Sequence, residues 1–89
     1  MVLIALPNDL ASTRIGVAAG RTLGKAVQRN RAKRLLRAVV APVLPTITPG
    51  WDILLIARLP ILQASFVQIE AGLSSLLNRA HLLQEIHDV

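Results

Sequence analysis

Eighty-nine residues without a cysteine bound this chain to one compact domain, residues 1–89, with no disulfide framework and no thiolate metal site. Hydrophobic residues make up 53% of it, yet Trp51 and Phe66 are the only aromatics. The core is therefore aliphatic, and stacking of bases on aromatic rings is excluded as the main device of any nucleic-acid recognition. Met1 to Leu6 is apolar but lacks a basic leader and stops at Pro7-Asn8-Asp9, too short for a signal peptide, so a buried strand is expected there. Arg14 to Ala19 is a second β-compatible run, and the polar connection between the two suggests an antiparallel pair. In that second run Ile15, Val17 and Ala19 alternate with Gly16, Ala18 and Gly20, giving one aliphatic face and one bare face. The bare face suits either close packing against another element or close approach of a ligand backbone.

From about Gly24 to Val40 the period becomes helical, with Ala32, Leu35, Leu36 and Val39 forming one apolar stripe. Arg29, Asn30, Arg31, Lys33, Arg34 and Arg37 are assigned to the opposite arc. Pro42 and Pro45 end the helix, and a loop follows as far as a Pro49-Gly50 turn. Trp51 to Arg58 is a nearly continuous apolar run, the pattern of a central strand covered on both faces. Ser65 and Gln68 have the spacing of a capping box for a second helix, whose stripe is Phe66, Ile69, Leu73, Leu76, Leu77 and Ala80. Residues 82–89 receive no assignment. The order β-β-α-β-α makes the chain an α+β protein, a small two-layer α/β sandwich.

The net charge of +5 is modest, but its distribution is not even. Arg14, Arg21, Lys25, Arg29, Arg31, Lys33, Arg34 and Arg37 follow one another with no acidic residue among them. Solvated faces usually interleave both signs, so an uncompensated run implies a polyanion that supplies the missing charges. The first helix also opens on Lys25, where the backbone dipole favours an anion, and arginine outnumbers lysine along it, as bidentate phosphate recognition prefers.

The residues Gly24-Lys25-Ala26-Val27-Gln28-Arg29-Asn30-Arg31-Ala32-Lys33-Arg34-Leu35-Leu36-Arg37 closely resemble the signature of the bacterial ribonuclease P protein family. The likeness extends back through Arg14-Ile15-Gly16-Val17 and forward through Gly50-Trp51-Asp52-Ile53 to Ile56-Ala57-Arg58. It implies a non-catalytic protein subunit of a ribonucleoprotein endoribonuclease, whose partners are the catalytic RNA and precursor tRNA. By the resemblance, Arg21, Lys25, Arg29, Asn30, Arg31, Lys33, Arg34 and Arg37 bind RNA. Arg14, Gly16, Ala18 and Arg58 belong to a cleft on the sheet that holds the 5′ leader. The protein needs no cofactor of its own, and Mg2+ accompanies the RNA subunit. The family also implies a left-handed crossover between the strands flanking the basic helix, against the general right-handed rule. Three departures are visible: Arg21-Thr22 where the family has two lysines, Ala18 where a hydroxyl is common, and a start directly in the first strand where the family has a helix flanking the cleft. Either the start is truncated or the cleft lacks a wall.

Other functions fit less well. A structural RNA-binding protein of ribosomal type is the alternative, and the Arg-Asn-Arg signature separates it. A DNA-binding helix-turn-helix needs a partner helix just upstream of the basic one, so DNA is not an expected partner. A membrane-surface helix would carry aromatic anchors, and no run approaches the roughly 18 apolar residues of a span, so no membrane partner is expected and the protein is placed in the cytoplasm. His81 and His87, near Glu85 and Asp88, read as surface residues rather than a metal or acid–base site. Asp9, Asp52 and Glu70 lack paired spacing, and Gly16, Gly20 and Gly24 lack a phosphate-loop pattern.

Overall fold

A computed structural model describes residues 1–82; Glu85, His87 and Asp88 lie outside the described residues with the rest of the 83–89 tail. The elements follow the expected order: β1 (Val2–Pro7), β2 (Arg14–Ala19), α1 (Ala26–Val40), β3 (Trp51–Ala57) and α2 (Phe66–Arg79), with three short 3₁₀ turns between them. The α+β class holds.

The strand order is β1-β3-β2, with β1 antiparallel and β2 parallel to β3. The expected β1–β2 pairing is thereby corrected. β1 and β2 do run in opposite directions, but β3 lies between them. The six residues joining them form no tight turn. They arch instead over the start of β3, where Asn8 N–H donates to the Gly50 carbonyl (2.8 Å) and Thr13 Oγ1 donates to the Thr48 carbonyl (2.6 Å). Gly50 makes the corner into β3 at φ +94°, a backbone conformation that side chains disfavour. α1 is the crossover between the parallel strands β2 and β3, the unit to which the expected hand applies.

Alternation along the strands gives the sheet two unlike faces. Ile15, Val17, Ala19, Leu3, Ala5, Ile53, Leu55 and Ala57 point toward the helices and join one buried cluster with α1 and α2, in which Leu36, Leu55, Leu73, Leu77 and Leu82 are fully buried. The other face is open: Ile4 and Leu6 on β1 are 45% and 64% exposed, and Leu54 on β3 is exposed beside them. β1 is thus an edge strand with one bare side, and β3 is central but covered on one side only. Both helices contribute to the same core, and among the described residues no element lies on the opposite face.

The second helix starts as its local chemistry requires. Gln68 N–H donates to Ser65 Oγ (3.1 Å) and Ser65 N–H donates to Gln68 Oε1 (2.9 Å), a closed capping box. Its buried stripe, Ile69, Leu73 and Leu77, is narrower than expected, since Phe66 and Ala80 are exposed. It ends at His81, in the left-handed conformation at φ 57°, while Leu82 N–H reaches back to the Leu77 carbonyl (3.0 Å). His81 therefore serves as a helix stop.

Asp52 fastens both ends of the arch. Its carboxylate accepts Arg14 Nε (2.8 Å) and Nη2 (2.7 Å) together with Asn8 Nδ2 (2.8 Å). These hydrogen bonds, from Arg14 first and Asn8 second, hold its pKa down at about 2, from an ordinary 3.8. A depressed carboxylate pKa adds stability that is present above the unfolded value and is lost as pH falls toward the folded one. The melting temperature of the wild type is therefore expected to lose this contribution between about pH 4 and pH 2. Asp52→Asn should be less stable at neutral pH, with the gap to wild type narrowing across that acid window. Thermal melts of both proteins between neutrality and acid check this; a gap that stays constant would contradict the role of the ionised pair.

Candidate nucleic-acid interface

The approach to α1 sets out its cations before the helix begins. Arg21 to Leu23 forms a 3₁₀ turn anchored by buried Leu23, and Gly24 turns the chain at φ +109°. Lys25 is the N-cap, in extended conformation, and it offers no side-chain acceptor to the first-turn N–H groups. With no acidic residue in that turn, the positive end of the helix is left uncompensated and lies beside exposed Arg21 and Lys25.

Burial of Ala32, Leu36, Val39 and Val40 fixes how α1 is rotated on the sheet. Asn30, Arg31, Arg34 and Arg37 consequently face solvent, with Lys33 half-buried at their flank. Arg29 departs from expectation. Three residues before Ala32 and seven before Leu36, it continues the buried stripe rather than the polar arc, and the chain leaves it half-buried. Its Nε is closed off from solvent without a hydrogen-bond partner. A charged N–H group in that state is costly until something supplies an acceptor.

On the exposed side, Val27, Asn30, Lys33, Arg34 and Arg37 line a depression of about 440 Å³. No carboxylate faces it. Among the described residues the one ion pair is Arg14 with Asp52, so Arg14 leaves the group of uncompensated cations. That sequence reading is corrected because the partner acid is 38 positions away and becomes a neighbour only through β2–β3 pairing. Seven cations, from Arg21 to Arg37, remain without a counter-charge among the described residues.

The residues assigned to a cleft do share a surface. Arg14, Gly16 and Ala18 on β2 align with Asp52, Leu54 and Ile56 on β3, and Arg58 extends the same alternation just past the strand. They lie on the open face. Ile4, Leu6 and Leu54, which sequence reasoning did not single out, help line a shallow depression there with Arg14, Gly16 and Asp52. Alternation in β1 could have found the first two had β1 been read as an edge strand. A Cβ on Gly16 would sit 3.5 Å from Leu54 Cδ1, an ordinary contact, so the packing tolerates a side chain and the glycine simply keeps the surface low. Among the described residues no helix is long and apolar enough to cross a membrane, and no three His, Cys, Asp or Glu side chains gather as metal ligands.

Comparison with known proteins gives one answer at two levels. The profile of the family described as Ribonuclease P matches residues 1–81. The ribonuclease P protein component of Chloroflexus aggregans is 43% identical over 84 residues, covering 93% of this chain and 62% of that protein. That of a Roseiflexus species is 42% identical over 85 residues, covering 94% and 70%. The chain thus spans somewhat under two thirds of the first relative's length. Among solved structures, the ribonuclease P protein of Thermotoga maritima aligns with TM-score 0.77 at 28% identity, over 86% of this chain and 74% of that one. The Staphylococcus aureus protein aligns with TM-score 0.78 at 29% identity, over 92% and 75%.

The two arginines of the Arg-Asn-Arg core should separate in stability measurements. Arg29→Met keeps the aliphatic stem and deletes the unpaired buried N–H, so it should raise the melting temperature, by the equivalent of about 1 kcal/mol. Arg31→Met acts on an exposed position and should stay within about 0.5 kcal/mol of wild type. Denaturant melts of both variants provide the check, and equal shifts would mean the rotation of α1 is misassigned.

Proposed function

Since the chain belongs to the ribonuclease P protein family, we propose that it is the protein subunit of that ribonucleoprotein, binding the catalytic RNA and assisting removal of the 5′ leader of precursor tRNA. The observation that carries this reading is the cationic side of α1, where Asn30, Arg31, Arg34 and Arg37 stand exposed with no acidic neighbour. A phosphate backbone supplies counter-charges there and releases its own condensed ions. The uncapped first turn adds backbone donors for a phosphate, flanked by Arg21 and Lys25. Arg29 stays in the proposed contact set by its place beside these residues, although the chain leaves it half-buried with its Nε closed off from solvent.

The open sheet face is the proposed seat of the leader. Aliphatic Ile4, Leu6 and Leu54 with low Gly16 and Ala18 offer a surface for sugars and bases. Arg14, neutralised by Asp52, contributes a planar edge more than net charge, whereas Arg58 is the cation with no ion-pair partner among the described residues. The protein contributes binding, and magnesium ions held by the RNA supply the chemistry of phosphodiester hydrolysis.

Reconstitution tests this directly. Added to a bacterial ribonuclease P RNA at low magnesium, the protein should restore site-specific 5′ cleavage of precursor tRNA, and alone it should cleave nothing. Failure to stimulate the RNA, with RNA binding intact, would favour a structural RNA-binding role. Binding should also weaken steeply with salt: contact with about 4–6 phosphates gives a log–log slope of roughly −3 to −5. A flat salt response in filter binding or anisotropy would remove the cationic helix from the interface.

A further inference from the structure

The cationic depression on α1 is lined in part by an apolar residue that the charge pattern leaves out. Val27 is 74% exposed, more than any other large hydrophobic side chain among the described residues. It sits in the first turn of α1 and lines the same depression as Asn30, Lys33, Arg34 and Arg37. Val27, Asn30, Arg34 and Arg37 recur at i, i+3, i+7 and i+10, so the solvent side of the helix carries its own continuous ridge. A lone exposed valine is ordinary on a protein surface. Here, however, it lines a depression otherwise lined by an amide and three cations. It adds nothing to the core, and as a β-branched residue it is a weaker helix former than alanine.

We propose that Val27 packs against the base or ribose of one unstacked nucleotide, whose flanking phosphates lie on Lys33, Arg34 and Arg37 and whose edge is within reach of the Asn30 amide. Charge complementarity selects a polyanion for this surface. The apolar side chain selects among polyanions, because a continuous paired helix presents phosphates and hydroxyls to a protein surface and keeps its base faces stacked inside, whereas an unpaired nucleotide offers an apolar face beside its charge. The cations then set how tightly any RNA is held, and Val27 contributes the preference for an irregular one. This rests on the reading of α1 as an RNA-binding helix and specifies which RNA feature meets its first turn.

The test uses three probes: a bacterial ribonuclease P RNA, a fully paired RNA hairpin, and the same hairpin with one bulged nucleotide. Wild type should prefer the bulged hairpin to the paired one. Val27→Thr keeps the shape but replaces a methyl by a hydroxyl, and it should lose that preference, with about a three- to tenfold loss on the bulged probe, little change on the paired one and no change in salt slope. Val27→Leu should retain the preference. Arg34→Ala should instead weaken both hairpins and reduce the salt slope by about one. Thermal melts should show all these variants folded, since the positions are exposed. If wild type does not distinguish the two hairpins, or if Val27→Thr binds both as wild type does, the proposal is overturned. If the bulge preference and its dependence on Val27 hold while the ribonuclease P RNA binds no better than the paired hairpin, the ribonuclease P reading fails and this one survives.

Discussion

The packing of Ala32, Leu36, Val39 and Val40 into the core decides the angle at which α1 is presented, and the arrangement of charge on this protein follows from that angle. Successive helical residues step round by about 100°, so a small rotation would exchange which cations reach solvent. Asn30, Arg31, Arg34 and Arg37 are exposed because they lie away from those four apolar side chains. Arg29 is drawn in because it lies above them. A cationic helix of this kind gains little from its own charges, which repel one another, and so depends on its apolar stripe to remain docked.

The core that receives α1 is itself organised by β3. Its central position lets it pair with β1 on one side and β2 on the other, and its inward residues Ile53, Leu55 and Ala57 are the buried centre of the sheet. The connection between β1 and β2 has to pass over the end of β3. Asn8, Thr13, Arg14 and Asp52 make that passage specific through side-chain hydrogen bonds, without needing a tight turn. The same pairing consumes the charge of Arg14, so the stability of the arch and the electrostatics of the open face are coupled.

Two surfaces of different chemistry result. The helix surface combines an uncapped helix start with cations that lack acidic partners, suited to a polyanion held largely by charge. The sheet surface is flat, mostly aliphatic and nearly neutral apart from Arg58, suited to contacts that salt affects less. Their coexistence on so short a chain is possible because both helices share one side of a three-stranded sheet, which leaves the other side open among the described residues.

Much of this was legible in the sequence because it depends on neighbours along the chain. The capping box of Ser65 and Gln68, the Pro49-Gly50 corner, the helical period from Ala26 to Val40 and the uninterrupted run of cations are local patterns, and the Arg-Asn-Arg motif carried the family with them. The strand order, the exposure of Ile4, Leu6 and Leu54 and the pairing of Arg14 with Asp52 were not legible. Each depends on contacts between segments far apart in sequence. Periodicity assigns a residue to one face of its own element, but only the docking of that element decides whether the face meets the core, an opposite charge or solvent.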